Sequence, residues 1–223
     1  MTEHNLTLSE SEYFARRMKM IENQIISRGV QDPDVLAAMR TVPRHLFVPN
    51  DNRGEAYADY PVAIGHAQTI SQPFIVASMT EHLKLTHRSR VLEIGTGCGY
   101  QTAVLAEIAR EVYTVEIIPE LFSDASRLLR QLGYTNVFTQ LRDGNEGWPD
   151  KAPFDAITVA AASKTVPSAL TNQLGSNGRM LIPLVSDEDG KQELILLEKG
   201  ESGISTRVLY DVRFVPLRSK SAE

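Results

Sequence analysis

A single cysteine, Cys98, leaves this 223-residue chain unable to form an internal disulfide, and such cysteine usage suits a reducing compartment. No apolar run approaches the ~18 residues that a membrane span requires. Residues 1–12 are polar and acidic and lack the apolar core of a signal peptide, so the sequence predicts a cytoplasmic protein with no membrane partner. A basic surplus is also missing. The formal net charge is -5, which argues against a general nucleic-acid surface. The five histidines are scattered and none has a second His or Cys at ligand spacing, so no metal site is expected. No Ser-His-Asp order and no phosphate-loop motif can be assigned. What is present, 42% hydrophobic and 23% charged residues, is the composition of an ordinary globular protein of about one large domain.

Along the chain, helix and strand signals alternate. Ser9 and Glu12 make a capping box for a helix over residues 9–28, with Phe14, Met18, Ile21 and Ile25 on one stripe and Gly29 as its stop. Asp32-Pro33 starts a second, short helix that ends before Pro43. Residues 41–70 read as a loop, and a loop that long is uncommon unless it forms a site. Ser71 is placed to cap a helix over residues 71–85. Strands at 91–94, 112–115, 137–141 and 154–159 then alternate with helices at 100–109, 119–132 and 166–174. Strands at 179–184, 193–197 and 208–215 follow, the last two with no helix between them. This order predicts an α/β fold: a doubly wound, mostly parallel sheet with a terminal antiparallel hairpin and an N-terminal helical and loop appendage. A single domain is expected over residues 1–223, with 1–70 as the site-forming appendage and 71–223 as the core.

The densest signal is Val91-Leu92-Glu93-Ile94-Gly95-Thr96-Gly97-Cys98-Gly99-Tyr100, a strand running into three alternate glycines and a helix start. Gly95, Gly97 and Gly99 allow positive φ and let a ligand lie against bare backbone. The spacing G-x-G-x-G differs from the G-x-G-x-x-G of a dinucleotide site. Glu93, two residues before the first glycine, would repel a pyrophosphate and would suit an ammonium or a sulfonium. S-adenosylmethionine carries both; a plain glycine-rich turn is the alternative. Cys98 reads as a space-filler in this loop. Glu116, at the end of the next strand, is placed to accept hydrogen bonds from ribose hydroxyls, each worth about 1.5–3 kcal/mol. Asp143 with Gly144 repeats the arrangement one strand further on, toward an adenine amino group, or is a simple Asp-Gly turn. Upstream, Ile64-Gly65-His66-Ala67-Gln68-Thr69-Ile70-Ser71-Gln72-Pro73 puts hydroxyls and an amide at the mouth of a helix. That is either a carboxylate receptor or an ordinary capped helix.

Together these stretches resemble the bacterial branch of the protein-L-isoaspartate O-methyltransferase family. The likeness continues through Gly147-Trp148-Pro149, Ala152-Pro153-Phe154-Asp155, Ala160-Ala161-Ala162, Ile182-Pro183 and Val212-Arg213-Phe214-Val215-Pro216-Leu217. Upstream it includes Arg28-Gly29-Val30 and Val42-Pro43-Arg44. The resemblance implies a Rossmann-like class I methyltransferase. With S-adenosyl-L-methionine it would methylate the free α-carboxylate of L-isoaspartyl residues in damaged proteins and peptides, which starts a repair through a succinimide. It implies Ser71 as the active-site serine. Cofactor contacts fall on Gln68, Thr69, Ile70, Glu93, Gly95, Thr96, Gly97, Gly99, Glu116, Asp143 and Gly144. Ile64, Ala161, Ala162 and Val215 match positions that line the substrate cleft. A monomer is expected. The chain departs from the family pattern at Arg142 and Ala67, where glycine is usual or common, and at Val62-Ala63. A methyltransferase for another carboxylate, such as a peptide natural product or a small acid, would keep the glycine loop, Glu116 and Ser71. A non-enzymatic cofactor sensor would not need Ser71.

Overall fold

Burial on both faces turns three apolar runs into the centre of one sheet. A computed structural model describes residues 8–219, so residues 1–7 of the acidic N-terminal stretch lie outside the described residues. Strands β3 (Arg90–Ile94), β4 (Glu111–Glu116) and β6 (Phe154–Val159) are almost wholly buried, as continuous apolar strands in parallel sheets are. With β5 (Val137–Leu141), β7 (Leu174–Val185), β8 (Gln192–Gly200) and β9 (Gly203–Val212) they form a seven-stranded sheet of order β5-β4-β3-β6-β7-β8-β9. The pairs from β5 to β7 are parallel, and β7–β8 and β8–β9 are antiparallel. The chain winds outward from β3 to β5 and then returns to the other side of β3. This creates the switch point beyond the strand C-termini where ligands bind in open α/β sheets.

Helices cover both faces. One hydrophobic cluster joins residues of α1 (Glu10–Met20), α2 (Pro33–Thr41), α3 (Pro73–His82), α4 (Tyr100–Ala106) and α5 (Pro119–Gln131) to Val91, Val112 and Leu181. A second packs Trp148 and Leu170, the latter on α6 (Ser168–Gln173), against Leu92, Tyr113 and Ile157. Alternate residues of each strand thus feed opposite clusters. Among the described residues no helix is long and apolar enough to cross a membrane.

The N-terminal third differs most from its sequence pattern. The Ser9–Glu12 capping box forms, and Gly29 ends the segment at φ 94. The expected single helix, however, becomes α1, then a π-helical turn at Ile21–Ile25, then a 3-10 turn at Ile26–Arg28. The wider turn accommodates the fully buried Met20, Ile21 and Ile25 against the core. Phe14, expected in the buried stripe, is 53% exposed, and its neighbour Tyr13 is buried instead. The stretch 41–70 is not a plain loop. It holds 3-10 turns at Arg44–Phe47 and Asn50–Glu55 and an antiparallel hairpin of β1 (Val62–Gly65) and β2 (Gln68–Ile70). Ser71 does not cap a helix: α3 starts at Pro73 with Gln72 at the cap position and no side-chain cap bond.

Arg44 pins this region down. It is fully buried, with its guanidinium 4.7 Å from the centre of the Tyr100 ring. Its Nε donates to the Ala56 carbonyl at 2.6 Å and its Nη2 to the Ser71 carbonyl at 2.7 Å. Arg44→Met keeps most of the volume but leaves both carbonyls without their donor. It should lower stability by about 2–4 kcal/mol in denaturant unfolding. A loss below about 1 kcal/mol would show that relief of the buried charge outweighs the two bonds.

Candidate active site

Beyond the ends of β3 and β4 the chain leaves a cavity. Its floor is the loop from Gly95 to Cys98, one wall is strand β2 of the hairpin with Ser71 after it, and the other is residues 215–218. Gly95 and Gly97 have φ 91 and 54, which only glycine adopts readily, so the loop shows bare backbone to the cavity. Gly144 is fixed by space, since a Cβ there would lie 2.3 Å from Ile94 Cγ2.

Two acids meet this loop, with different sets of hydrogen-bond donors. Glu116 Oε2 accepts the Gly97 N–H at 2.8 Å, and Oε1 accepts those of Ile117 and Ile118 at 2.9 and 3.0 Å. Glu93 is fully buried. Its Oε2 accepts the Thr114 hydroxyl at 2.7 Å and the Thr102 hydroxyl at 2.5 Å. Because Thr114 donates to Glu93, Thr96, 2.7 Å away, donates to Thr114. Glu93 Oε1 is buried with no partner. Burial pushes the Glu93 carboxyl up to about 7, against the pull of the two threonine hydroxyls. Burial likewise pushes the Cys98 thiol up to about 11, so it stays protonated and serves as a filler of the loop.

The cavity is long, glycine-floored and acidic, and an unpartnered buried carboxylate oxygen fits a cationic ligand end. Against known proteins, a family model described as protein-L-isoaspartate(D-aspartate) O-methyltransferase matches residues 15–222. This chain belongs to that family. A protein-L-isoaspartate O-methyltransferase of Picosynechococcus sp. is 51% identical over 93% of this chain and 92% of its own length. The Gloeobacter violaceus protein of the same name is 51% identical over 92% of this chain and 100% of its own. A solved structure of a protein-L-isoaspartate O-methyltransferase superposes with a TM-score of 0.84 at 27% identity, over 91% of this chain and 66% of that one. A Plasmodium falciparum structure in complex with S-adenosyl-L-homocysteine shares the fold with a TM-score of 0.76 at 24% identity, over 92% of this chain and 98% of that one. The chain is thus an S-adenosylmethionine-dependent methyltransferase with the class I, Rossmann-like architecture.

The structure brings most of the sequence-derived positions together. Gln68, Thr69, Ile70, Ser71, Glu93, Gly95, Thr96, Gly97, Glu116, Gly144, Ala161 and Val215 all line the cavity. Four others stand behind its wall. Gly99 is a packing glycine, because a Cβ there would meet Leu129 Cδ1 at 3.2 Å. Ile64 packs beneath Gly97 and is 3.6 Å from where a Cβ on that residue would sit. Ala162 acts through its backbone: its N–H donates to the Val215 carbonyl and its carbonyl accepts the Leu217 N–H, both at 2.8 Å. Asp143, expected at the adenine amino group, also caps the short turn Gly144–Glu146. Its Oδ1 accepts from the Asn145 backbone and side chain, and its Oδ2 accepts the Ser219 hydroxyl at 2.9 Å. Its carboxylate therefore ties residues 218–219 over this end, with Asn145 donating to the Arg218 carbonyl as well.

Arg142, a departure from the family pattern, pairs with Glu146 at 3.1 Å and stays off the cavity wall. Ala67 takes φ 55 in the hairpin turn, where glycine would be unstrained. Sequence reasoning misses Gln101, Ile117, Leu217 and Arg218, which also line the cavity. Gln101 had a signal, a long polar side chain two residues past the last loop glycine. The C-terminal pair had none. Among the described residues no group of three His, Cys, Asp or Glu comes together as a metal site.

Glu93 gives the cofactor-free protein a pH signature. Its folded value, about 7, lies above the ordinary 4.5, so the folded state holds this proton more tightly than the unfolded chain. The resulting stability is present at acid pH, is lost as pH rises through roughly 4.5–7, and is gone above that window. Glu93→Gln cannot ionise. Its stability relative to wild type should therefore rise by on the order of 3 kcal/mol between pH 4.5 and 8 in paired denaturant titrations. A pH-independent difference would contradict the raised value.

Proposed function

We propose that this cavity performs the family's reaction with the residue roles that follow. The chain methylates isoaspartyl residues of damaged proteins and peptides at the free α-carboxylate, with S-adenosyl-L-methionine as donor, and so begins their repair. When bound, that cofactor supplies an electrophilic sulfonium methyl. Glu116 faces the ribose hydroxyls, with its carboxyl group held in place by three backbone donors. The bare backbone of Gly95 and Gly97 carries the chain next to the sulfur, and Glu93 faces its cationic end. Gly144 leaves room for the base, and the Asp143–Ser219 bond holds the C-terminal segment across it.

The acceptor has a pKa of about 3.3–3.7 and is ionised at neutral pH, so the reaction requires no general base. Among the described residues no histidine or lysine lines the cavity. What the chain must supply is alignment and the exclusion of water, and such positioning contributes about 7–11 kcal/mol in favourable cases. Ser71 is assigned to orient the carboxylate with its hydroxyl, and Arg44 holds the Ser71 carbonyl from behind.

One observation carries this reading. A second depression adjoins the cavity, lined by Pro61, Ile75, Arg213 and Phe214, and the two share Thr69, Ser71, Ala160 and Val215. Ser71 thus stands where a cofactor cavity opens into an outer cleft. An extended peptide in that cleft would lie along Ile75, Val212 and Phe214, with Gln72, Asp211 and Arg213 as its polar neighbours.

The reading is tested with an isoaspartyl peptide and its aspartyl twin. Labelled methyl from S-adenosylmethionine should appear on the first and not the second, and Ser71→Ala should lower kcat about 100-fold. Affinity for S-adenosyl-L-homocysteine, measured by calorimetry, should stay within about threefold in that variant. Equal labelling of the twins would reject the substrate. Equal losses of turnover and affinity would reject the role of Ser71.

A further inference from the structure

We propose that Gln101 recognises the carboxylate of the cofactor's amino-acid end, while Glu93 takes the ammonium beside it. The assignment rests on the reading of this cavity as the S-adenosylmethionine site and adds to it a residue for the methionine end. Gln101 lies in the first turn of α4, two residues past Gly99, and lines the cavity. It is 8% exposed, and its amide nitrogen is buried without a hydrogen-bond partner.

Buried amides are normally satisfied, so an orphan one on a cavity wall points to a ligand. Packing does not account for it. Every residue of α4 is buried, and Ala103, Val104, Leu105 and Ala106 show that this helix otherwise favours apolar side chains. A leucine would fill the same space without an unpaired amide. The nitrogen and oxygen of the amide exchange by a half-turn, so the side chain can present its donor to the cavity.

The other polar groups of the cavity show which ligand end belongs here. Both oxygens of Glu116 hold backbone N–H groups. The hydroxyls of Thr96, Thr114 and Thr102 run toward Glu93 Oε2. Among the described residues that line the cavity this leaves one unpartnered buried acceptor, Glu93 Oε1, and one unpartnered buried donor, the Gln101 amide; Arg44 Nη1 behind Tyr100 and Thr158 Oγ1 beside Glu93 on β6 are also unpartnered but do not line it. A ligand end with an ammonium and a carboxylate on one carbon satisfies both at once. Either charge alone would leave the other group unpaired. The nucleoside end belongs at Glu116, the last residue of β4, and Gly144, in the turn after the neighbouring strand β5.

The test measures binding, apart from turnover. Calorimetry on the full chain compares S-adenosyl-L-homocysteine with 5′-methylthioadenosine, the same nucleoside thioether without the amino-acid end. Gln101→Leu should weaken S-adenosyl-L-homocysteine roughly 10- to 100-fold and 5′-methylthioadenosine less than about twofold. Gln101→Glu, which sets like charge against the carboxylate, should weaken the first probe further and again spare the second. If Gln101→Leu does not fold, the wild-type chain with the decarboxylated thioether amine decides. Its affinity should drop by a similar factor, and Gln101→Glu should bind that amine no worse than wild type does. Equal losses for both probes would make Gln101 structural and overturn the assignment, as would unchanged S-adenosyl-L-homocysteine binding. Failure of the wild-type chain to bind S-adenosyl-L-homocysteine at all would overturn the cofactor reading itself and this assignment with it.

Discussion

The Glu116 carboxylate is the tie on which the site depends. By accepting N–H groups from Gly97, Ile117 and Ile118 it fastens the loop after β3 to the turn after β4. The glycines could adopt many conformations, and this bond set selects one. The loop backbone is therefore already shaped as the floor of the cavity, and little ordering remains for a ligand to impose. A neutral side chain at this position could not hold three donors in the same way. Beneath it, the threonine relay into Glu93 leaves a second carboxylate half-satisfied and poised near neutrality.

The catalytic side of the cavity comes from elsewhere in the chain. Residues 68–71 reach it through the β1–β2 hairpin, and the buried Arg44 fixes that approach from below by holding the Ser71 carbonyl and stacking on Tyr100 of α4. The C-terminal segment closes the third side through backbone bonds to Ala162 and the Ser219 bond to Asp143. The sheet therefore supplies the cofactor site, and two outlying segments supply the acceptor side. This division of labour matches a reaction that needs alignment more than acid–base chemistry.

Those parts were unequally legible in the sequence. The strands β3, β4 and β6 could be read because buried parallel strands are continuous apolar runs with sharp ends. The acids at their termini could be placed because strand ends converge on one edge. The β1–β2 hairpin could not, because its strands are three and four residues long and its turn uses His66 and Ala67 at positive φ in place of Asn-Gly. The π-helical turn was hidden for a related reason. A one-residue widening leaves no local signature and only becomes necessary once Ile21 and Ile25 meet the core. Asp143 has two roles that its chemistry alone does not separate: an acid at a strand end can face a ligand or cap the next turn, and the bonds to Asn145 and Ser219 show the cap. Gln101 carried its meaning in burial, which spacing alone does not reveal.

A crystal structure of the chain with S-adenosyl-L-homocysteine tests the central claim most directly, because the account rests on how one cavity is oriented. It places the ribose hydroxyls within hydrogen-bond distance of Glu116 and the base beside Gly144. It also turns the sulfur toward the opening at Ser71. A nucleoside end lying at Glu93 and Gln101, or a sulfur facing away from Ser71, would contradict it.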